Sequence, residues 1–320
     1  MTNQPTEERE ERRPALRTVR RYGPWVVTAV VLVALLGRYD LDQILAAMRA
    51  GNAWPLFPIA FAFSVTQILL VARWDTFILR CVLPGLRYLD VARVKAGCAT
   101  LQAVAYAANV GVFGAWIARA TGVGVRNAIG LVTFGTLSDL AAGSTVMMIS
   151  VHLGHAPVHP FFKWAPLVSA SFALLVLLAP ERRPLDPHGE TGIARVFRSV
   201  RRGPAVAGIA GRMSSALFVG VATWLAARAF GLQIPLRVMI VYVPIVMVVG
   251  SMPVNIGSFG VVQGAWLLFL PWAAGPQILA FQFLWGVALM ASQVLRGLPF
   301  IRRVLSEVAD AKLDVAPGPE

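Results

Sequence analysis

The sequence predicts an all-α polytopic membrane protein, with about six spanning helices plus two re-entrant helical hairpins in an inverted repeat. Three observations carry that expectation. Hydrophobic residues make up 57% of the chain against 14% charged, and the mean hydropathy of +0.66 lies well outside the range of an ordinary soluble domain. Lysine and arginine collect in short segments between apolar runs. The phrase Asn-aliphatic-Gly-x-Phe-Gly occurs twice, as "NVGVFGAW" from Asn109 and as "NIGSFGVVQGAW" from Asn255.

Residues 1–21 read as a cytosolic tail, too long and too mixed in charge for a signal peptide, ahead of a retained signal anchor. The first apolar segment, 22–37, is bounded by Arg20, Arg21 and Arg38. The second, 54–72, has Trp54 and Trp74 at its ends, where indoles favour the headgroup level. Segments 128–151, 161–179, 206–230 and 275–296 are each long enough to cross a hydrocarbon core of ~30 Å. The membrane domain is expected over 22–300, as halves 22–151 and 161–296, with 301–320 a second cytosolic tail.

Residues 91–127 and 236–272 break this pattern. Each is two apolar pieces joined at the repeated phrase. The piece from Phe113 to Arg126 has ~14 residues, or ~21 Å of helix, too short to cross. Gly111, Gly114, Gly257 and Gly260, with Pro253, supply the expected break. Charge gives an independent test. Loops 73–95 and 180–204 are Arg-rich, while 152–163 has one Lys and 252–275 has no Lys or Arg. If 91–127 enters from the cytoplasm and returns there, every Arg-rich loop lies inside. The second hairpin then enters from the opposite face. This is expected to place both termini in the cytoplasm. Two such halves resemble the inverted repeats of secondary transporters.

Irregular backbone at membrane depth is tolerated where it is buried in protein or lines a wet cavity. A half-helix starting after the break would turn its free N–H groups inward and favour a phosphate or carboxylate. Asn109 and Asn255 would cap those ends or meet a polar headgroup, and Ser258 and Gln263 add polar groups to the second hairpin. Asp139, central in its span, needs a partner at that depth. Arg119 is the partner expected, the alternative being hydrogen bonds with neighbouring Ser and Thr. Arg212 and Arg228 are expected near the ends of 206–230, snorkelling to the surface.

His152, His155 and His159 form no expected metal site, because Pro157 and Pro160 break any shared helical face. No phosphate-binding loop, HExxH, GxSxG or carboxylate pair is found, so no catalytic residue and no cofactor is expected. The net charge of +13 fits a positive-inside topology and anionic lipid headgroups rather than nucleic acid, since no basic helix carries interleaved aromatics. Cys81 and Cys98 are expected as free thiols on the reducing side.

On these motifs the chain resembles the flippase-like membrane region of bacterial lysylphosphatidylglycerol synthases (multiple peptide resistance factors) and their stand-alone relatives, over roughly residues 22–300. The resemblance rests on Arg73-Trp74, "NVGVFGAWIAR", "TLSD" and "MPVNIGSFGVVQGAW". Asn109, Gly114, Arg119, Asp139, Pro253, Gly257, Gly260 and Gly264 match the family's pattern. Ala115 and Trp116, Gly135 and Thr136, and Gln263 stand where the family has charged residues. No counterpart of the synthases' soluble aminoacyl-transferase domain is found, so no enzyme activity is expected. The resemblance implies translocation or binding of a lipid with an anionic or phosphate headgroup, with membrane lipids as partners. A homo-oligomer or an envelope-synthesis partner is also compatible. Two alternatives stay open: a membrane enzyme using Asp139 as base, and a non-transporting partner in envelope assembly.

Overall fold

The computed structural model describes residues 37–102, 106–153, 200–251 and 261–309, with individual positions inside 26–35 and 164–174. Every regular element among them is helical: α1 (Leu41–Ala50), α2 (Leu56–Arg80), α3 (Tyr88–Gln102), α4 (Tyr106–Thr121), α5 (Val125–Leu153), α6 (Arg202–Phe230), α7 (Leu236–Ser251), α8 (Val261–Trp266), a 3-10 turn (Leu267–Phe269) and α9 (Gly275–Ala309). Four of them, α2, α5, α6 and α9, are long and apolar enough to cross a bilayer, which fits a multi-pass membrane protein. They match four of the six expected spans. The other two, 22–37 and 161–179, fall largely outside the described residues.

The helices end where the chain chemistry requires. Asp40 caps α1 by accepting the Asp42 N–H at 3.0 Å. Gly122 and Gly231 follow α4 and α6 with φ of 71° and 108°, a left-handed geometry that costs other residues more. Phe57, Phe61, Leu69 and Phe77 of α2 stay exposed, an arrangement suited to hydrocarbon rather than water.

Order and packing repeat across the chain. Long, short, short, long describes α2 to α5, and again α6 to α9. Exchanging the halves carries most of the packing onto itself. The α2–α3 contact becomes α6–α7, α3–α4 becomes α7–α8, and α4–α5 becomes α8–α9. Between halves, α3–α9 becomes α7–α5 and α2–α9 becomes α6–α5, while α2–α6 maps onto itself. Small residues let the crossed pairs approach. Gly97 meets Val304, Gly297 meets Ala96 and Thr100, and Gly143 meets Pro244.

The ends of the bundle can be told apart. At one end Glu307 of α9 accepts from Arg93 of α3 and Trp116 of α4, at 3.0 and 3.1 Å. Arg93 lies in the N-terminal half of α3 and Trp116 in the C-terminal half of α4, so α3 and α4 run antiparallel as a helical hairpin. At the other end Tyr39, just before α1, packs on Gly275, and Gly51, just after it, packs on Phe230. The continuous helix α9 separates the two.

The repeated phrase does not break the helix in its first copy. Asn109 to Trp116 lies wholly inside α4, and the chain changes direction between α3 and α4, ahead of Asn109. A glycine in a helix costs only ~1 kcal/mol relative to alanine, which packing readily overrides. Gly114 shows the packing use: a Cβ there would meet Ile129 of α5 at 3.4 Å. Asn109 therefore sits within α4 rather than capping it. In the second copy, Pro253, Asn255, Gly257, Ser258 and Gly260 lie outside the described residues.

Candidate functional site

Four helices each bring a charged side chain to one point: Asp75 from α2, Lys95 from α3, Asp139 from α5 and Arg212 from α6. Arg212 bridges the two carboxylates, donating through Nη1 to Asp139 and through Nη2 to Asp75. Lys95 pairs with the second oxygen of Asp75 and lies 4.6 Å from the centroid of the Phe113 ring, a cation–π contact. The guanidinium is only 1% exposed, and its Nε has no hydrogen-bond partner among the described residues. A bare guanidinium at that depth would be strongly disfavoured, and pairing with two carboxylates offsets its desolvation.

Gly135 makes room for the bridge. A Cβ at this position would stand 3.5 Å from both Arg212 Nη2 and Asp75 Oδ1, so a larger side chain would push into the pair. The cluster borders a cavity of about 70 Å³, which is space for a few waters or one small polar group. Asn109, Val110 and Phe113 of α4 and Thr136 of α5 also line it, with Ile78, Leu79, Leu131 and Val132 as apolar wall. The Asp75 side chain is 7% exposed and that of Asp139 48%, so one carboxylate is enclosed and the other is half open. Asp139 is the midpoint of α5, far from either end of that helix.

The expected residues separate into groups. Asn109 and Asp139 meet in the cavity. Gly111 and Gly114 lie on the same helix as Asn109 but not in its lining, and Gln263 is buried on α8. Arg119 is not the partner of Asp139. It donates instead to the backbone carbonyl of Glu307, because α4 carries it toward the end of the bundle where α9 finishes. Arg212 takes the expected place. It does not snorkel, since α6 begins at Arg202 and puts Arg212 well inside the helix, against α2 and α5.

Asp75, Lys95 and Arg212 were not among the expected site residues. Arg212 had a signal, as a single charge in the otherwise uncharged "GRMSSALFVG" that a bundle must neutralise, whereas Asp75 and Lys95 stand close to Arg73 and Arg93 and read as parts of charged span ends. A further, partly buried cation, Arg296 of α9, donates to Ser64 of α2, to its hydroxyl at 2.6 Å and to its carbonyl. No family model matches the chain, and no curated protein matches it.

Proposed function

We propose that this protein is a bacterial plasma-membrane protein that binds and translocates a lipid with an anionic or phosphate headgroup. The observation that carries the reading is the cavity itself: a small polar space beside the midpoint of a spanning helix, lined by Lys95, Arg212, Asp75, Asp139 and Asn109. Polar and ionisable groups at such depth are rare and mark substrate paths more often than structural pins. Guanidinium and ammonium groups recognise phosphate and carboxylate oxygens. Asn109 adds an amide that can donate or accept.

The paired short helices α3–α4 and α7–α8 act in this reading as re-entrant hairpins, entering from opposite faces. Neither α3 nor α4 is long enough to cross at 1.5 Å per residue, at roughly 22–24 Å each. Arg-rich ends put both termini in the cytoplasm. Asn109 and Asp139 face the headgroup, while Gly111, Gly114 and Arg119 shape and anchor the hairpin. Asn255, Gly257, Ser258, Gly260 and Gln263 belong to the corresponding part of the second half.

Reconstitution tests this directly. Liposomes carrying the protein and a fluorescent phosphatidylglycerol are treated with an impermeant quencher. The inner-leaflet pool should become accessible faster than in protein-free vesicles, and faster than for phosphatidylcholine. Equal rates in all three would overturn translocation.

A further inference from the structure

The cavity holds two carboxylates and two cations, and it grips the carboxylates unequally. Asp75 has both Lys95 and Arg212 on it and is nearly enclosed. Asp139 has Arg212 alone among the described residues, and about half of its side chain is open. The formal charges of the four cancel. An anion entering by itself would leave a net negative charge among helices that cross a low-dielectric layer, which is strongly disfavoured. Something must enter with it.

We propose that Asp139 couples anion entry to a proton. This rests on the lipid reading above and extends it to the coupling ion. A headgroup with one negative charge takes the place of the Asp139 carboxylate on Arg212, and Asp139 takes up one proton as it lets go. No covalent bond between heavy atoms changes. The proton is drawn from the aqueous phase as the anion enters and returns to it when the anion leaves. The net charge of the four side chains, anion and proton is zero before and after.

The surroundings single out this carboxylate. Asp75 keeps Lys95 when Arg212 is shared with an incoming anion, so it stays ionised and holds the guanidinium in place. The charged groups facing Asp139 in the cavity are Arg212 from α6, Asp75 from α2 and Lys95 from α3. From α4 come Asn109, Val110 and Phe113, none of which titrates. Neither α7 nor α9 contributes a charged residue to the lining among the described residues. A carboxylate held by one shared cation, half open, is the member that can change partners. An anion with one charge, such as a phosphodiester, matches the single charge displaced.

The test measures protons and ligand together. The full chain, purified in weakly buffered detergent with a pH indicator, is titrated with short-chain phosphatidylglycerol, phosphatidylcholine of the same chain length, or inorganic phosphate. Phosphatidylglycerol should bind with uptake of one proton per lipid, while phosphatidylcholine binds weakly and takes up none. Because binding consumes a proton, affinity should fall as pH rises, approaching about tenfold per pH unit. Asp139→Asn should bind the anionic lipid with no uptake and no such pH dependence. Anionic-lipid binding by the wild type without proton uptake, or uptake that survives in Asp139→Asn, overturns the coupling and leaves the lipid reading standing. Failure of every anion to bind overturns both. Uptake with inorganic phosphate that is lost in Asp139→Asn, with none for lipid, supports the coupling and reassigns the site to a free oxyanion, whereas phosphate uptake that persists in the variant belongs to the phosphate itself and overturns it. If Asp139→Asn does not stay monodisperse, the wild-type stoichiometry decides alone.

Discussion

Arg212 of α6 and Asp139 of α5 form an ion pair at the midpoint of α5, with Asp75 of α2 held by the same guanidinium. Three spanning helices are thus tied through one side chain. Removing Arg212 leaves two carboxylates facing each other with only Lys95 nearby, whereas removing Asp139 leaves Arg212 still paired with Asp75.

The first prediction follows from that asymmetry. Breaking a buried pair from one side costs about 3–5 kcal/mol. Arg212→Gln should lower the detergent melting temperature most, Asp75→Asn nearly as much, and Asp139→Asn least, because Asp139 is the exposed member. The double variant Arg212→Gln/Asp139→Asn should recover part of the Arg212→Gln loss. Strict additivity would mean that the two side chains do not interact.

Glycines of the repeated phrase separate by environment. A Cβ at Gly111 meets nothing within 4 Å, whereas one at Gly114 meets Ile129. Gly111→Ala should hold or raise the melting temperature, gaining up to ~1 kcal/mol in helix propensity. Gly114→Leu should lower it, through an overpacking cost against α5 of about 1–3 kcal/mol. Equal behaviour of the two would mean that α4 does not pack on α5 through Gly114.

Much of the fold was legible in sequence, and the exceptions have physical causes. Apolar length alone marked α2, α5, α6 and α9, because a span needs nothing subtler than ~20 apolar residues. The break in 91–127 was misplaced because glycine reads as a helix breaker in isolation, whereas between close-packed helices it is a spacer, as Gly114 is for Ile129. Asp139 was legible as a charge needing a partner. Its partner was not legible, because helix packing brings together residues far apart in the chain, and Arg212 lies 73 residues away on α6. Asp75 was passed over because Arg73 and Trp74 beside it look like the interfacial end of a span, although its own side chain turns into the bundle.

Glu307 fastens the end of α9 to both legs of the α3–α4 hairpin. Its carboxylate accepts from Arg93, Trp116 and Arg303, and its backbone carbonyl from Arg119. Glu307→Gln keeps the size but loses the charge that holds two arginines, so the hairpin should open more often. Cys98, fully buried on α3, reports this. Its labelling by a thiol reagent should be slow in the wild type and several-fold faster in Glu307→Gln. An unchanged rate would show that the hairpin is held by its apolar contacts alone.

Cys81 supplies a topology marker at the end of α2. It is exposed, and its thiol donates to the Phe77 carbonyl at 3.3 Å. Partial burial pushes this thiol above its ordinary range, against a smaller opposing effect of Arg201, so labelling should keep accelerating as pH rises past that of a free cysteine. Arg126, exposed at the start of α5, lies on the same face as Cys81 if α3 and α4 enter and return, and on the opposite face if they cross. Leu270 is the better marker for the far side, because a side chain at Gly275 would overlap Tyr39. In a chain lacking both native cysteines, Arg126→Cys should react with an impermeant reagent only after the membrane is opened, and Leu270→Cys should react in intact cells. Reaction of Arg126→Cys in intact cells would mean that the first hairpin crosses the bilayer. The six arginines of 180–204 would then lie outside, against the rule that keeps such loops in the cytoplasm, and the two halves would no longer be inverted.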